Sequence, residues 1–183
     1  MGDGDALDDS ESLDDLAREL REGVGREMRR EAEIVEHDAA TVEMRRRRLA
    51  DVAVELLSRG DTVTAIAGDR SIRGPLTYAR GDIASIETSE GIVDLHLAAG
   101  VALRVDERTR AGGTATRPGS DTLHARLLEH ELSGVHLEVW VPTHHIEVRG
   151  PIVAVGQDHV IVQDRDGSEW TLPLGDIAWV RRL

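Results

Sequence analysis

The chain has no Cys, no Phe and no Lys, and aromatic residues make up 2% of its 183 positions. Without Cys there is no disulfide framework, no thiolate nucleophile and no Cys-ligated zinc. That counts against a small, stapled secreted module. Without Phe, a core has to be built from Val, Ile, Leu and Ala, and a hydrophobic fraction of 40% is enough for one. All 22 basic residues are Arg, against 35 acidic ones, for a formal net charge of -13. Such a surplus counts against non-specific DNA binding, which needs excess positive charge. No run approaches the ~20 apolar residues of a membrane span. The stretch "MGDGDALDDSESLDD" has neither the positive nor the apolar region of a signal peptide. The expectation is a cytoplasmic protein with no membrane or DNA partner and a length suited to one ordinary domain or two small ones.

What is present is ordered along the chain. Residues 1–11 are acidic and read as a disordered tail. From Ser12, Leu13, Leu16, Leu20, Val24 and Met28 recur at helical spacing, predicting a thin amphipathic helix to about His37. It has too few apolar residues to fold alone, so it is expected to pack on the protein body or on its own copy, coiled-coil fashion. Thr41 is expected to cap a second helix with Val42, Leu49, Val52, Ala53 and Leu56 on its apolar side and Gly60 as its stop. The period then changes to two, giving five strand-like segments between Gly- and Asp-bearing turns. Residues 107–120, "ERTRAGGTATRPGS", read as a linker. Ser120 is expected to cap a third helix, with Leu123, Leu127 and Leu128 on one side. Five further strand-like segments follow.

The two halves repeat. Arg73, Gly74, Pro75, Leu76, Asp82, Ile86, Gly91, Val101 and Ala102 meet Arg149, Gly150, Pro151, Ile152, Asp158, Val162, Gly167, Ile177 and Ala178 at one constant offset. This predicts an internal duplication. In both halves Gly-Pro falls inside the second strand. Pro cannot donate to a sheet ladder and an interior Gly marks a bend or bulge, as a small five-stranded barrel requires. The pattern, clearest in "RGPIVAVGQDHVIVQDRDGSEWTLPLGDIAWV", resembles the Sm-like fold of bacterial Sm/SH3-like proteins. The resemblance covers residues 41–106 and 121–182. It implies an α+β chain in which an N-terminal helical arm precedes two tandem five-stranded barrels, each led by a helix. The implied domains are the tail 1–11, the arm 12–58, the first barrel 59–106, the linker 107–120, and a helix plus second barrel over 121–183. Sm proteins bind uridine-rich RNA through an Asp followed three residues later by Asn, and an Arg-Gly pair in the last turn. Asp82 and Asp158 match the Asp, and Gly100 and Gly175 the Gly. Ser85 and Ile161 replace the Asn and no Arg precedes the Gly, so the uridine pocket does not carry over.

Candidate interaction residues are few. Arg45, Arg46, Arg47 and Arg48 concentrate positive charge, but four consecutive residues spread around a helix and fit a solvated face balanced by "REAEIVEHD". Arg73 and Arg149 precede Gly-Pro in both halves and suit either an anion contact or a nearby carboxylate. Asp82 and Asp158 read as turn caps rather than catalytic carboxylates. Trp140 and Trp179, the largest apolar groups with Trp170, are expected in a core or where the barrels meet. The eight His show no metal-ligand spacing, and no phosphate-loop, dinucleotide or nucleophile-elbow motif is present. No cofactor, metal or catalytic residue is expected. The favoured reading is a non-enzymatic interaction or scaffold protein that self-associates or binds a protein partner. The alternative is an RNA-associated regulatory factor acting through its Arg clusters.

Overall fold

The computed structural model describes Met28 and residues 41–109, 112–113, 115 and 117–183. The chain divides into two units, Met1–Arg47 and Arg48–Leu183. In the first, Met28 is helical and exposed, and residues 41–46 form a short helix with Val42 and Met44 exposed. The rest of the predicted stripe from Leu13 lies outside the described residues.

The second unit opens with helix α1, Leu49–Arg59. The helix expected to run unbroken from Thr41 to Gly60 is therefore two helices, interrupted at residues 47–48. Arg48 is extended (φ -88°, ψ 161°), and its N–H donates to Asp51 Oδ2 at 2.8 Å. That bond satisfies a free donor at a new helix start. Ala53, Leu56 and Leu57 are buried. Gly60, at φ 75°, closes the helix by donating to the carbonyls of Leu56 and Leu57, a left-handed turn that Gly adopts without strain.

Five strands follow: β1 Thr62–Ala67, β2 Arg70–Arg80, β3 Ile83–Thr88, β4 Gly91–His96 and β5 Ala102–Glu107. After the connection comes helix α2, Leu123–Ser133, whose N-cap is Thr122 and not Ser120. Thr122 Oγ1 accepts from the N–H of Ala125, while Ser120 Oγ donates to Glu129. Leu123 and Leu127 are buried; Leu128, expected beside them, is exposed. The remaining strands are β6 His136–Val141, β7 Ile146–Val155, β8 His159–Gln163, β9 Glu169–Pro173 and β10 Trp179–Arg182.

These strands do not form two closed barrels behind a helical arm. They make one open antiparallel sheet of ten strands in the order β5-β1-β2-β3-β4-β10-β6-β7-β8-β9. Closing the first barrel would have required β4 to turn back onto β5. Instead β4 pairs with β10 from the second half, with Val93, Asp94 and Leu95 opposite Arg181, Val180 and Trp179. Among the described residues, strand β5 pairs only with β1, and β9 only with β8. Backbone groups that closure would have consumed are thus used at the joint between halves or left at the sheet ends.

Both halves keep the same internal order, with the last strand beside the first. They also share a register shift in the second strand, between Leu76 and Tyr78 and between Ile152 and Ala154. The repeated Gly-Pro has a physical cause. A Cβ on Gly74 would lie 2.0 Å from the carbonyl oxygen of Glu87, and one on Gly150 would lie 1.8 Å from that of Gln163. In each half the second strand bends so tightly over the end of the third that only Gly fits.

Two aliphatic cores result. One gathers α1 and β1–β4 around Leu56, Leu57, Ile86 and Leu95; the other gathers α2 and β6–β10 around Leu123, Leu127, Val148 and Val162.

Candidate functional site: the joint between the halves and the open edges

The joint is built from β4, β6 and β10. Trp140 on β6 and Trp179 on β10 belong to the second half by sequence, yet both pack in the core of the first. They are 1% and 2% exposed, their ring centroids 6.1 Å apart. Trp140 Nε1 donates to the carbonyl of Ala67 at 3.1 Å, which satisfies its buried N–H. The Arg70 guanidinium lies 4.0 Å from the centroid of the same ring, a cation–π contact. The backbone adds bonds from His96 N to Ala178 O (2.8 Å) and from Ala178 N to Trp140 O (3.0 Å).

Along one side of the joint, Arg and Glu alternate. Arg70 pairs with Glu147; Arg149 pairs with Glu147 at 2.5 Å and Glu138 at 2.8 Å; Arg181 pairs with Glu138 at 2.7 Å and with Glu90. Arg70 and Glu90 come from the first half and the others from the second, so the network ties the halves together. Burial and the nearby Glu147 charge raise the Glu138 carboxyl above its ordinary value, against the pull of its arginines. Burial also pushes Glu147 up, but the Arg70 hydrogen bond and charge, with Arg149, outweigh it and leave that carboxyl low.

A second polar cluster lies on β3, β4 and α2. Asp94 is 7% exposed. Its Oδ1 accepts from Ser85 Oγ at 2.5 Å, and its Oδ2 lies 3.4 Å from Arg126 Nε and 3.5 Å from His130 Nε2. Burial raises the Asp94 carboxyl, and the contacts with His130, Ser85 and Arg126 override it and hold it below its ordinary value.

The sequence-selected residues fall into three groups. Trp140, Trp179 and Arg149 are brought together at the joint. Arg73 is remote from them and pairs with Asp106 at 3.1 Å and Glu107 at 2.7 Å on β5. Arg45, Arg46, Arg47 and Arg48 are exposed, with Arg48 the N-cap of α1. Asp82, expected to cap its own turn, instead reaches across: its Oδ1 accepts from the N–H of Leu123 at 2.7 Å, at the start of α2 in the other half. Asp158 instead contacts its neighbour His159. Sequence reasoning missed Arg70, Asp94, Arg126, His130 and Glu138. Their signal is faint, because a polar residue on an alternating strand, as Arg70, Asp94 and Glu138 are, or on a helix, as Arg126 and His130 are, reads as solvent-facing until another half covers it.

The sheet ends at two strands with a free side. On β9, Trp170 is 38% exposed, its Nε1 donating to Asp164 Oδ2. On β5, Arg104 and Asp106 pair with each other at 2.8 Å. Among the described residues no helix is long and apolar enough to cross a membrane. Comparison with protein-family models, curated proteins and solved structures finds no match.

Proposed function

We propose that this chain is a non-enzymatic, cytoplasmic interaction protein that associates through the open edges of its sheet, in the first place with copies of itself. The observation that carries the proposal is the β4·β10 joint. Ile86 faces Val93 as Val162 faces Trp170, so β9 stands in its half where β4 stands in the other. Ala65 faces Leu103 as Val139 faces Val180, so β5 likewise corresponds to β10. Within one chain, β4 and β10 have found each other; β9 and β5 have the same places and, among the described residues, no strand on their outer side. An unpaired edge is a template for strand addition.

Repeating the internal register between two copies would set Ala102 against Leu172, Leu103 against Thr171 and Arg104 against Trp170. Such a contact is head-to-tail, so it closes into a ring or runs on as a filament according to its rotation. The joint buries Val93, Leu95, Trp179 and Val180, whereas the free edges carry Glu169, Thr171, Arg104 and Asp106. Association between copies is therefore weaker than the internal joint and reversible.

The test uses the absence of Cys. The double variant Arg104→Cys, Trp170→Cys is oxidised in dilute solution and resolved without reductant, beside light scattering of the unmodified chain across a concentration series. The expected result is covalent oligomers larger than a dimer and a mass that rises with concentration. A chain that stays monomeric throughout, with no covalent ladder, overturns the reading.

A further inference from the structure

We infer that the cleft bordered by α2, β4 and the connection between the halves is a binding site for a small organic anion, a phosphate or carboxylate whose other end carries hydrogen-bond donors. The cleft holds about 590 Å³ and is lined by Arg117, Arg126, Arg182, Tyr78, Glu87 and Asp94 among others. That volume is in the range of small-molecule sites, roughly 300–1,000 Å³.

Three arginines line it in a chain of net charge -13. Most arginines around the sheet are spent on carboxylates, as the joint network illustrates. Arg117 and Arg182 line the cleft without an ion pair among the described residues. Arg126 is engaged on one side, its Nη1 donating to Glu129 at 2.9 Å and its guanidinium 5.5 Å from the Tyr78 ring centroid. Its Nε is buried, 3.4 Å from Asp94 Oδ2, and has no hydrogen-bond partner. His130, 1% exposed behind Asp94, sets its Nε2 3.5 Å from the same Oδ2. Asp94 is thus the acceptor that Arg126 Nε and His130 face, and the guanidiniums of Arg117 and Arg182 are the ones left for a ligand.

The walls suit such a ligand. Arg117 and Arg182 provide charge-assisted donors for its anionic group. Glu87, also in the lining, accepts from hydroxyl or amine groups at its other end. The Tyr78 hydroxyl is occupied, donating to Ser120 O at 2.6 Å, so Tyr78 offers its ring face. The ring is held in place by that bond, and Gly119 lies against it.

The experiment is calorimetric titration of the full chain at low salt with AMP, inorganic phosphate and citrate. AMP carries a phosphate and ribose hydroxyls, phosphate lacks the donor-bearing end, and citrate tests the carboxylate. Expected is saturable binding of AMP or citrate, tighter than inorganic phosphate. It weakens at least about tenfold, or 1.4 kcal/mol, in the double variant Arg117→Gln, Arg182→Gln, whose two side chains are exposed and whose far-UV circular dichroism is compared with the parent's. No binding of any of the three at millimolar concentration overturns the site. So does binding that the double variant leaves unchanged. The double variant's oligomer distribution is unaffected either way, so this test is separate from that of the sheet edges.

Discussion

Trp140 and Trp179 stand 6.1 Å apart, ring to ring, in the core of the half to which neither belongs by sequence. The arrangement follows from composition. A chain without Phe and with little other aromatic surface has few large apolar groups, and these two indoles, from β6 and β10, fill the first core at the joint. The halves are consequently not independent. The first core is completed by residues more than a whole half further along the chain, and isolated residues 48–107 would present the underside of β4 to solvent.

Trp140→Ala is therefore expected to destabilise the whole second unit, by about 3–5 kcal/mol, in one cooperative transition. It removes a ring, a buried hydrogen bond to Ala67 and the face on which Arg70 sits. Urea unfolding followed by the fluorescence of the remaining Trp170 and Trp179 and by far-UV circular dichroism reads this. Loss confined to half of the dichroism signal would show that the halves unfold separately and contradict the shared core.

The repeated Gly is equally open to test. Gly150→Ala drives a methyl into the carbonyl of Gln163, a backbone atom that cannot rotate away. The expected loss is about 1–3 kcal/mol, the usual range for overpacking, and Gly74→Ala is expected to behave alike. Gly175→Ala, with open space around its Cβ position, is the control and should leave the unfolding midpoint nearly unchanged. Equal effects at Gly150 and Gly175 would remove the close-approach explanation for the repeat.

The strands were legible in the sequence because their signal is local. Alternation at Val63, Ala65 and Ala67, and the turn glycines, depend only on nearby residues, and β1–β10 lie on the segments so marked. The Gly-Pro bend was legible for the same reason. Barrel closure was not, because it depends on which edge β4 meets, and alternation is identical whether β4 faces β5 or β10. The Trp placement shows the same limit: apolar size says that Trp179 is buried, but pairing says in which core. Arg73 and Arg149 illustrate it for charge. Matching positions in the repeat acquire different carboxylates because β6 sets Glu138 opposite Arg149 where β1 sets Thr64 opposite Arg73, which turns instead to Asp106 and Glu107 on β5. The break at Arg48 was hidden because Arg is an unusual N-cap and the bond is supplied from Asp51.

Asp82 predicts a coupling between the halves that no core residue reports. Its carboxylate receives the N–H of Leu123 at the first turn of α2, and its own N–H donates to Asp121 O at 2.9 Å. Asp82→Ala should cost about 1–2 kcal/mol, as loss of a helix cap does, and should show first as faster amide exchange at Leu123. Asp158→Ala, which frees only a contact with exposed His159, should cost little. If both variants lose the same stability, the cross-half cap carries no special weight.

Acid should loosen the joint through Asp94. Its carboxyl is held below its ordinary value, despite burial, by His130, Ser85 and Arg126. A carboxylate depressed in the folded state contributes stability that is present above its unfolded pKa and is lost as pH falls through the folded one. The loss therefore sets in as pH falls through the ordinary carboxylate range and is complete only below it, not near neutrality. Asp94→Asn removes this dependence while keeping shape. It should be less stable than the parent at neutral pH by roughly 3 kcal/mol, the cost of stripping the partner from the buried Arg126 Nε and His130. The gap should close as acid protonates the parent. Denaturant midpoints of both proteins, measured from neutral pH down through the carboxylate range, decide it. Parallel curves with a constant gap would mean that Asp94 acts by packing alone, and a gap that widens in acid would reverse the sign of the argument.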